Sequence, residues 1–427
     1  MQIILYPDKS EWGSYLQRPH RDASELRDTV HGVLSDIRER GDEAVKEYEL
    51  KFDKVALSSL AVSEAEMDEA EQLVGGELKG AIQLAHDNIE KFHREQVFHG
   101  KKVETQPGVV CWQKSVAIEN VGLYIPGGTA PLFSTVLMLA TPAKIAGCKN
   151  IVLCSPPNKE GKLHPAILVA ARIAGVNRIY KIGGVQAIGA MAYGTESVPK
   201  VSKIFGPGNQ FVTAAKQEVS LHDVAIDMPA GPSEVAVMAD DSANAEFVAA
   251  DLLSQAEHGV DSQAVMFTDS KKLAEDVNNE VERQLALLPR KDIAAQSLQY
   301  SRIIVVNNLE EVIDITNEYA PEHLILAMKD YMKVADRVVN AGSVFLGNYS
   351  CESAGDYASG TNHTLPTSGY AKAYSGVNLD SFCRKITFQE LTAEGVRSIG
   401  RAVELMAGAE QLDAHKRAMT VRLKAIQ

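Results

Sequence analysis

From residue 121 to residue 346 the chain keeps one rhythm: apolar runs of strand length alternate with apolar-periodic stretches of helix length. Runs at 121–125, 151–154, 179–182 and 204–205 alternate with helical patterns at 134–146, 165–174, 186–193 and 210–219. After 224–226 and a Met-Pro-Ala-Gly-Pro turn (228–232), a second series places strands at 234–238, 264–268, 302–306, 324–326 and 343–346, with helices between. Such alternation specifies parallel sheets covered by helices on both faces. Two series broken near Ser233 predict an α/β protein with two doubly wound, Rossmann-like domains.

The flanks read differently. Helical periodicity covers 24–54 and 78–92, Ser63 and Glu66 are spaced to cap a third helix, and the chain again reads as helical from 378. In that tail Thr387 and Glu390 have capping-box spacing. The expected division is an N-terminal segment (1–20), a discontinuous α/β domain (21–120 with 234–377), a second α/β domain (121–233) and a helical C-terminal tail (378–427). At 427 residues the chain exceeds a single hydrophobic core, in keeping with that division.

Charge and cysteine content exclude several classes. A net charge of -13 with no basic stripe argues against nucleic acid or an anionic membrane as partner. No run of about eighteen apolar residues is present, so no membrane span is expected. Five cysteines (Cys111, Cys148, Cys154, Cys351, Cys383) form no CxxC pair, which suits reduced thiols in a cytoplasmic protein.

Chemistry concentrates in the loops. Open parallel sheets bind ligands beyond the carboxyl ends of their strands, and three glycine-bearing turns follow strands here: Pro126-Gly127-Gly128, Gly183-Gly184-Val185-Gln186 and Gly206-Pro207-Gly208-Asn209. Each opens a helix whose N-terminus favours an anionic group, yet none is a GxGxxG or P-loop fingerprint. Plain turn geometry explains them equally well.

Glu322 and His323 stand side by side where an apolar run begins, a pair suited to proton transfer or to an ordinary strand entry. Residues 353–367 form the densest polar stretch, with Asp356 and His363 as candidate ligands or acid–base groups. Gln255 and His258, three apart near the end of a helix that Gly259 terminates, share a face; Glu257 points elsewhere. They read as half of a metal site or as the polar rim of a buried helix, and the spacing alone favours the rim. His415 lies on the apolar stripe of the last helix, where a packed histidine is the ordinary reading. Taken together, Gln255, His258, Asp356 and His415 make a nitrogen–oxygen donor set without thiolate, as suits a zinc ion with positions open for substrate.

The blocks that hold these residues closely resemble the histidinol dehydrogenase family: residues 121–143 (VGLYIPGGTAPLFSTVLMLATPA), 205–209 (FGPGN), 227–235 (DMPAGPSEV), 254–259 (SQAEHG), 321–324 (PEHL) and 355–366 (GDYASGTNHTLP). The resemblance runs in order along essentially the whole chain. It implies oxidation of L-histidinol through the aldehyde to L-histidine, the last step of histidine biosynthesis, with two NAD⁺ consumed. It further implies one Zn²⁺ per subunit on Gln255, His258, Asp356 and His415, with Glu322 and His323 as catalytic bases. NAD contacts would be Tyr124, Gln186 and Asn209. Substrate contacts would be Ser233, Gln255, His258, His323, Asp356, Glu410 and His415. A homodimer is implied too, the C-terminal tail dimerising so that Glu410 and His415 act in the partner's site. Three competing readings are a thiohemiacetal on Cys111 or Cys154, a zinc hydrolase with Glu322 as general base, and a two-lobed binding protein without catalysis.

Overall fold

A computed structural model describes residues 1–19, 24–127, 130–228 and 231–426. Gly128, Pro229, Ala230 and the expected boundary at 20–21 lie outside the described residues. Fourteen strands form three sheets among the described residues. They are β1 (Gln2–Leu5), β2 (Val103–Gln106), β3 (Val109–Ala117), β4 (Asn120–Tyr124), β5 (Asn150–Ser155), β6 (Arg178–Lys181) and β7 (Lys203–Phe205). After them come β8 (Ala225–Ile226), β9 (Glu234–Ala239), β10 (Gln263–Thr268), β11 (Arg302–Val305), β12 (His323–Ala327), β13 (Ser343–Leu346) and β14 (Cys383–Leu391). The two parallel series are as expected: a five-stranded sheet in the order β6-β5-β4-β7-β8 and a six-stranded sheet in the order β1-β11-β10-β9-β12-β13. Every pairing within these two sheets is parallel. Strand order reverses between β4 and β7 in the first and between β9 and β12 in the second.

Alternate residues of each sheet feed separate cores. In β5, Leu153 packs with Ile82, Ile89 and Leu137, whereas Val152 packs with Val30, Leu34 and Ile188. The early helices Ser24–Arg40, Glu64–Leu73 and Gly76–Arg94 therefore cover the five-stranded sheet. This corrects the expected grouping of 21–120 with 234–377. Their apolar stripes fit helices Gly184–Tyr193, Pro165–Ile173 and Phe133–Ala146, and Gly189 lets Ile37 and Leu34 approach closely. The first residues do not stand apart as a segment either: β1 pairs with β11 and extends the six-stranded sheet, while Trp12 and Leu16 join its core.

The C-terminal region departs most from expectation. Residues 383–391 form a strand antiparallel to β3, and β2 completes a three-stranded antiparallel sheet. Thr387 and Glu390 lie within that strand, so their capping-box spacing is coincidental. The cap belongs to Thr392, whose side chain accepts from Gly395 N at 3.2 Å at the head of helix Ala393–Ala409. That helix packs on helix Asp413–Ala425. Among the described residues, no helix is long and apolar enough to cross a membrane.

Candidate active site

The functional side chains of the six-stranded sheet gather at its amino ends. Glu234 opens β9 and His323 opens β12, its direct neighbour. Helix Ala245–Ala256 carries the chain from the carboxyl end of β9 back toward the amino end of β10. Its last turn therefore delivers Gln255, with His258 just beyond, to the same edge. Helix Glu352–Tyr357 supplies Glu352 and Asp356. Gly355 lets it sit on Phe345, because a Cβ there would stand 2.5 Å from that ring. Before β12, Ala320 ends helix Leu309–Tyr319 in a left-handed conformation (φ 52), and the chain turns sharply into Glu322 and His323. Such a backbone persists only where its surroundings hold it.

The imidazole of His323 is ringed by acids. Its Nδ1 lies 3.3 Å from the Glu234 carbonyl oxygen, 3.6 Å from Glu322 Oε2 and 3.8 Å from Glu352 Oε1. Its Nε2 lies 3.5 Å from Asp356 Oδ1. Glu322 Oε2 accepts from Glu234 N at 2.9 Å. Glu234 is itself anchored by an ion pair to Arg18 and by the Tyr319 hydroxyl at 3.1 Å. Burial pushes Glu322 and Glu352 up to about 8 each. Burial pulls His323 down, but the Glu352, Glu322 and Asp356 carboxyls outweigh it and hold the ring well above its ordinary value. Asp356, which burial would raise, is held low by His323, His363 and His258. Nδ1 faces the Glu234 carbonyl oxygen, so in the neutral ring Nε2 is the nitrogen without a proton.

The donor set fits a cation. Gln255 has no solvent exposure, and neither its amide oxygen nor its nitrogen has a hydrogen-bond partner. Asp356 Oδ1, Glu352 Oε2 and His323 Nε2 are likewise buried without a hydrogen-bond partner. One ligand atom each from His258, Glu352 and Asp356 lie within 4.8 Å of one another. Buried polar atoms without partners are costly, and a cation bound by the His258, Glu352 and Asp356 group would offset that cost.

Of the other expected residues, Ser233 is half-buried immediately before β9. His363 is a satisfied histidine, with Nδ1 2.9 Å from the Asp356 carbonyl oxygen and Nε2 3.2 Å from Thr135 Oγ1. Thr135 belongs to helix Phe133–Ala146, so His363 ties the site to the five-stranded sheet. Glu410 and His415 are exposed near the turn between the last two helices, and neither joins the cluster in this chain. Sequence reasoning missed Glu352, although it stands one residue before the polar stretch, and also missed Glu234 and Arg18. Cys154 is fully buried, with its thiol pushed up by burial, and Cys111 lies on the antiparallel β3; neither touches the cluster.

The five-stranded sheet presents its carboxyl ends. Tyr124 ends β4, and its hydroxyl accepts from Gly184 N at 3.2 Å. Gln186 is almost fully buried in the first turn of helix Gly184–Tyr193. Asn209 caps helix Gln210–Ser220, accepting from Phe211 N at 3.0 Å and Val212 N at 3.1 Å. Between Tyr124 and Asn209 lies the point where strand order reverses, the usual crevice for a nucleotide.

Two parallel α/β sheets, an acid–imidazole cluster and an adjoining buried donor set define the site of an α/β enzyme equipped for acid–base chemistry. The chain matches the family profile described as histidinol dehydrogenase over residues 16–423. It is 67% identical over 427 residues to the histidinol dehydrogenase of Bacteroides fragilis, covering 100% of both chains. It is 53% identical over 415 residues to that of Escherichia coli K12, covering 96% of this chain and 95% of the relative. The crystal structure of histidinol dehydrogenase from Elizabethkingia anophelis superposes with a TM-score of 0.98 at 56% identity, covering 100% of this chain and 98% of that one. The chain belongs to the histidinol dehydrogenase family.

Proposed function

We propose that the protein oxidises L-histidinol through L-histidinaldehyde to L-histidine, the last step of histidine biosynthesis, with zinc and NAD⁺, in the cytoplasm. The observation that carries this reading is the fully buried Gln255, unpartnered at both amide atoms, beside His258, Asp356 and the unpartnered Nε2 of His323.

Gln255, His258 and Asp356 would hold the zinc, with His415 of a second copy as fourth ligand, and Tyr124, Gln186 and Asn209 would hold NAD⁺. When bound, zinc would supply a positive centre that positions the substrate, and NAD⁺ would accept hydride, once for each oxidation. His323 Nε2 takes the alcohol proton in the first oxidation, while Nδ1–H donates to the Glu234 carbonyl and keeps the tautomer fixed. The carboxyls around the ring stabilise the imidazolium that results. Glu322, fixed through Oε2 by Glu234 N, takes a proton from the water that adds to the aldehyde. His323, having passed its first proton to solvent, takes a hydroxyl proton of the hydrate as the second hydride leaves. Ser233 and the partner copy's Glu410 complete the substrate contacts.

The test is NADH absorbance on mixing the purified protein with L-histidinol and NAD⁺, with and without a chelator. Chelator-sensitive NADH formation is expected; none from the metal-replete protein would overturn the reading. The shared site has its own test. Inactive His323→Ala and His415→Ala chains, mixed under conditions that exchange subunits, should recover activity. Verified exchange without recovery would place His415 in its own chain's site.

A further inference from the structure

One group on the cofactor side lies outside every residue assigned so far. Residues Glu49–Asp53 form a single π-helical turn, a geometry that gathers at functional sites. The turn packs against the carboxyl ends of the five-stranded sheet. Glu49 has no solvent exposure; its Oε1 accepts from Gly183 N at 2.9 Å and from Gln186 Nε2 at 2.8 Å. Asp53 Oδ2 accepts from the same Gln186 Nε2 at 3.2 Å. Both amide hydrogens of Gln186 therefore go to carboxylates. Gln186 Oε1 and Glu49 Oε2 remain buried with no partner. Asp53, by contrast, is only half-buried.

Its position is tightly defined. Asp53 Oδ2 would stand 3.4 Å from a Cβ at Gly183, while Pro156, just after β5, would stand 2.6 Å from a Cβ at Gly183 or Gly127. The loops after β4, β5 and β6 thus close up on one another, with Asp53 at their edge. Nearby cations are engaged elsewhere: Lys181 pairs with Glu66 at 3.0 Å, Lys51 lies over the Tyr48 and Phe52 rings, and Lys54 Nζ donates to Lys51 O at 2.7 Å.

We propose that Asp53, held in place by Gln186 and Glu49, accepts a ribose hydroxyl of the dinucleotide and selects the unphosphorylated cofactor over its 2′-phosphorylated form. A carboxylate suits a ribose diol, whereas a phosphate at the same place meets like charge, with Lys181, Lys51 and Lys54 engaged as above among the described residues. The inference rests on the reading that Tyr124 and Gln186 line the cofactor site.

The experiment is calorimetric binding of ADP-ribose and of 2′-phospho-ADP-ribose to the zinc-loaded protein, its Asp53→Asn variant and its Asp53→Ser variant, with steady-state kinetics alongside. The wild type should prefer ADP-ribose. Each variant should bind it about tenfold more weakly, as expected for loss of a charge-assisted hydrogen bond. Each should also narrow the preference by a similar factor, retain its zinc, and show the loss in KM for NAD⁺ rather than in kcat. Equal weakening of both ligands, or no change in either, would overturn the selectivity role while leaving the cofactor site standing. A wild type that binds neither ligand and forms no NADH would overturn the cofactor reading and this inference together.

Discussion

The five-stranded sheet offers its carboxyl ends, with Tyr124 and the glycine turns before Gln186 and Asn209, whereas the six-stranded sheet offers its amino ends, with Ser233, Glu322 and His323. The same strand–helix grammar builds both, so the difference lies in which helix termini reach the cleft. In a parallel unit the helices run antiparallel to the strands. Helix N-termini therefore accompany carboxyl ends, and helix C-termini accompany amino ends. The first arrangement supplies free N–H groups and partial positive charge, suited to an anionic dinucleotide. The second supplies partial negative charge, which a cation at Gln255 and His258 would complement. Under the proposed function, the rule that ligands gather beyond the carboxyl ends would describe one half of this protein and not the other. Under that proposal, one sheet would serve cofactor approach through backbone turns, and the other proton chemistry through charged side chains.

Substitutions can break this division of labour. The largest effect is expected on the amino-end side: His323→Ala should lower kcat by about 10³-fold, the middle of the range for general acid–base groups, while zinc content stays intact. His258→Ala should lose zinc. Metal analysis of both variants checks the assignment, and equal zinc loss would contradict the separation of base from ligands.

On the carboxyl-end side the expected damage is to the frame. Gly206 has φ 122, and a Cβ there would lie 2.1 Å from the Tyr124 carbonyl oxygen. Gly206→Ala should cost on the order of 4 kcal/mol, because the backbone conformation and the close approach are both denied. A lower melting midpoint together with weaker NAD⁺ binding is expected; an unshifted midpoint would mean that the turn does not hold the crevice.

The smallest effect concerns pH. Burial pushes Glu49 up to about 7 from an ordinary value of 4.5. Its ionisation therefore opposes folding, and its contribution to stability declines as pH rises from about 4.5 through 7. At about 1.4 kcal/mol per unit, the full penalty is roughly 3 kcal/mol above that window. Glu49→Gln removes it, so the variant's melting midpoint should rise relative to wild type between pH 4.5 and 7 and hold a constant gap above. A gap that does not change with pH would show that Glu49 titrates normally.

Much of this was legible in the sequence because periodicity is local. The parallel strands and their helices follow from apolar runs, and the capping box of Ser63 with Glu66 forms as its spacing indicates. What escaped depended on distant partners. Thr387 and Glu390 match a cap, yet Ile386, Thr387 and Phe388 pair across to β3, with Phe388 stacked on Trp112 at 5.4 Å. Residues 2–5 read as apolar, but their place beside β11 is set by a strand three hundred positions away. Gln255, His258, Glu322, His323 and Asp356 are the candidates that the sequence offers, and the structure brings them to one edge. Glu49, Asp53 and Glu352 look like ordinary helix-surface acids in sequence. Only tertiary packing buries Glu49 against Gly183 and Glu352 against His323.

The most direct test of the two-ended account is a crystal structure of the zinc-loaded protein measured at the zinc absorption edge. The account predicts one anomalous peak per subunit, within coordination distance of Gln255, His258 and Asp356 at the amino ends of the six-stranded sheet. A stoichiometric peak elsewhere, or one ligated without these three residues, would contradict it.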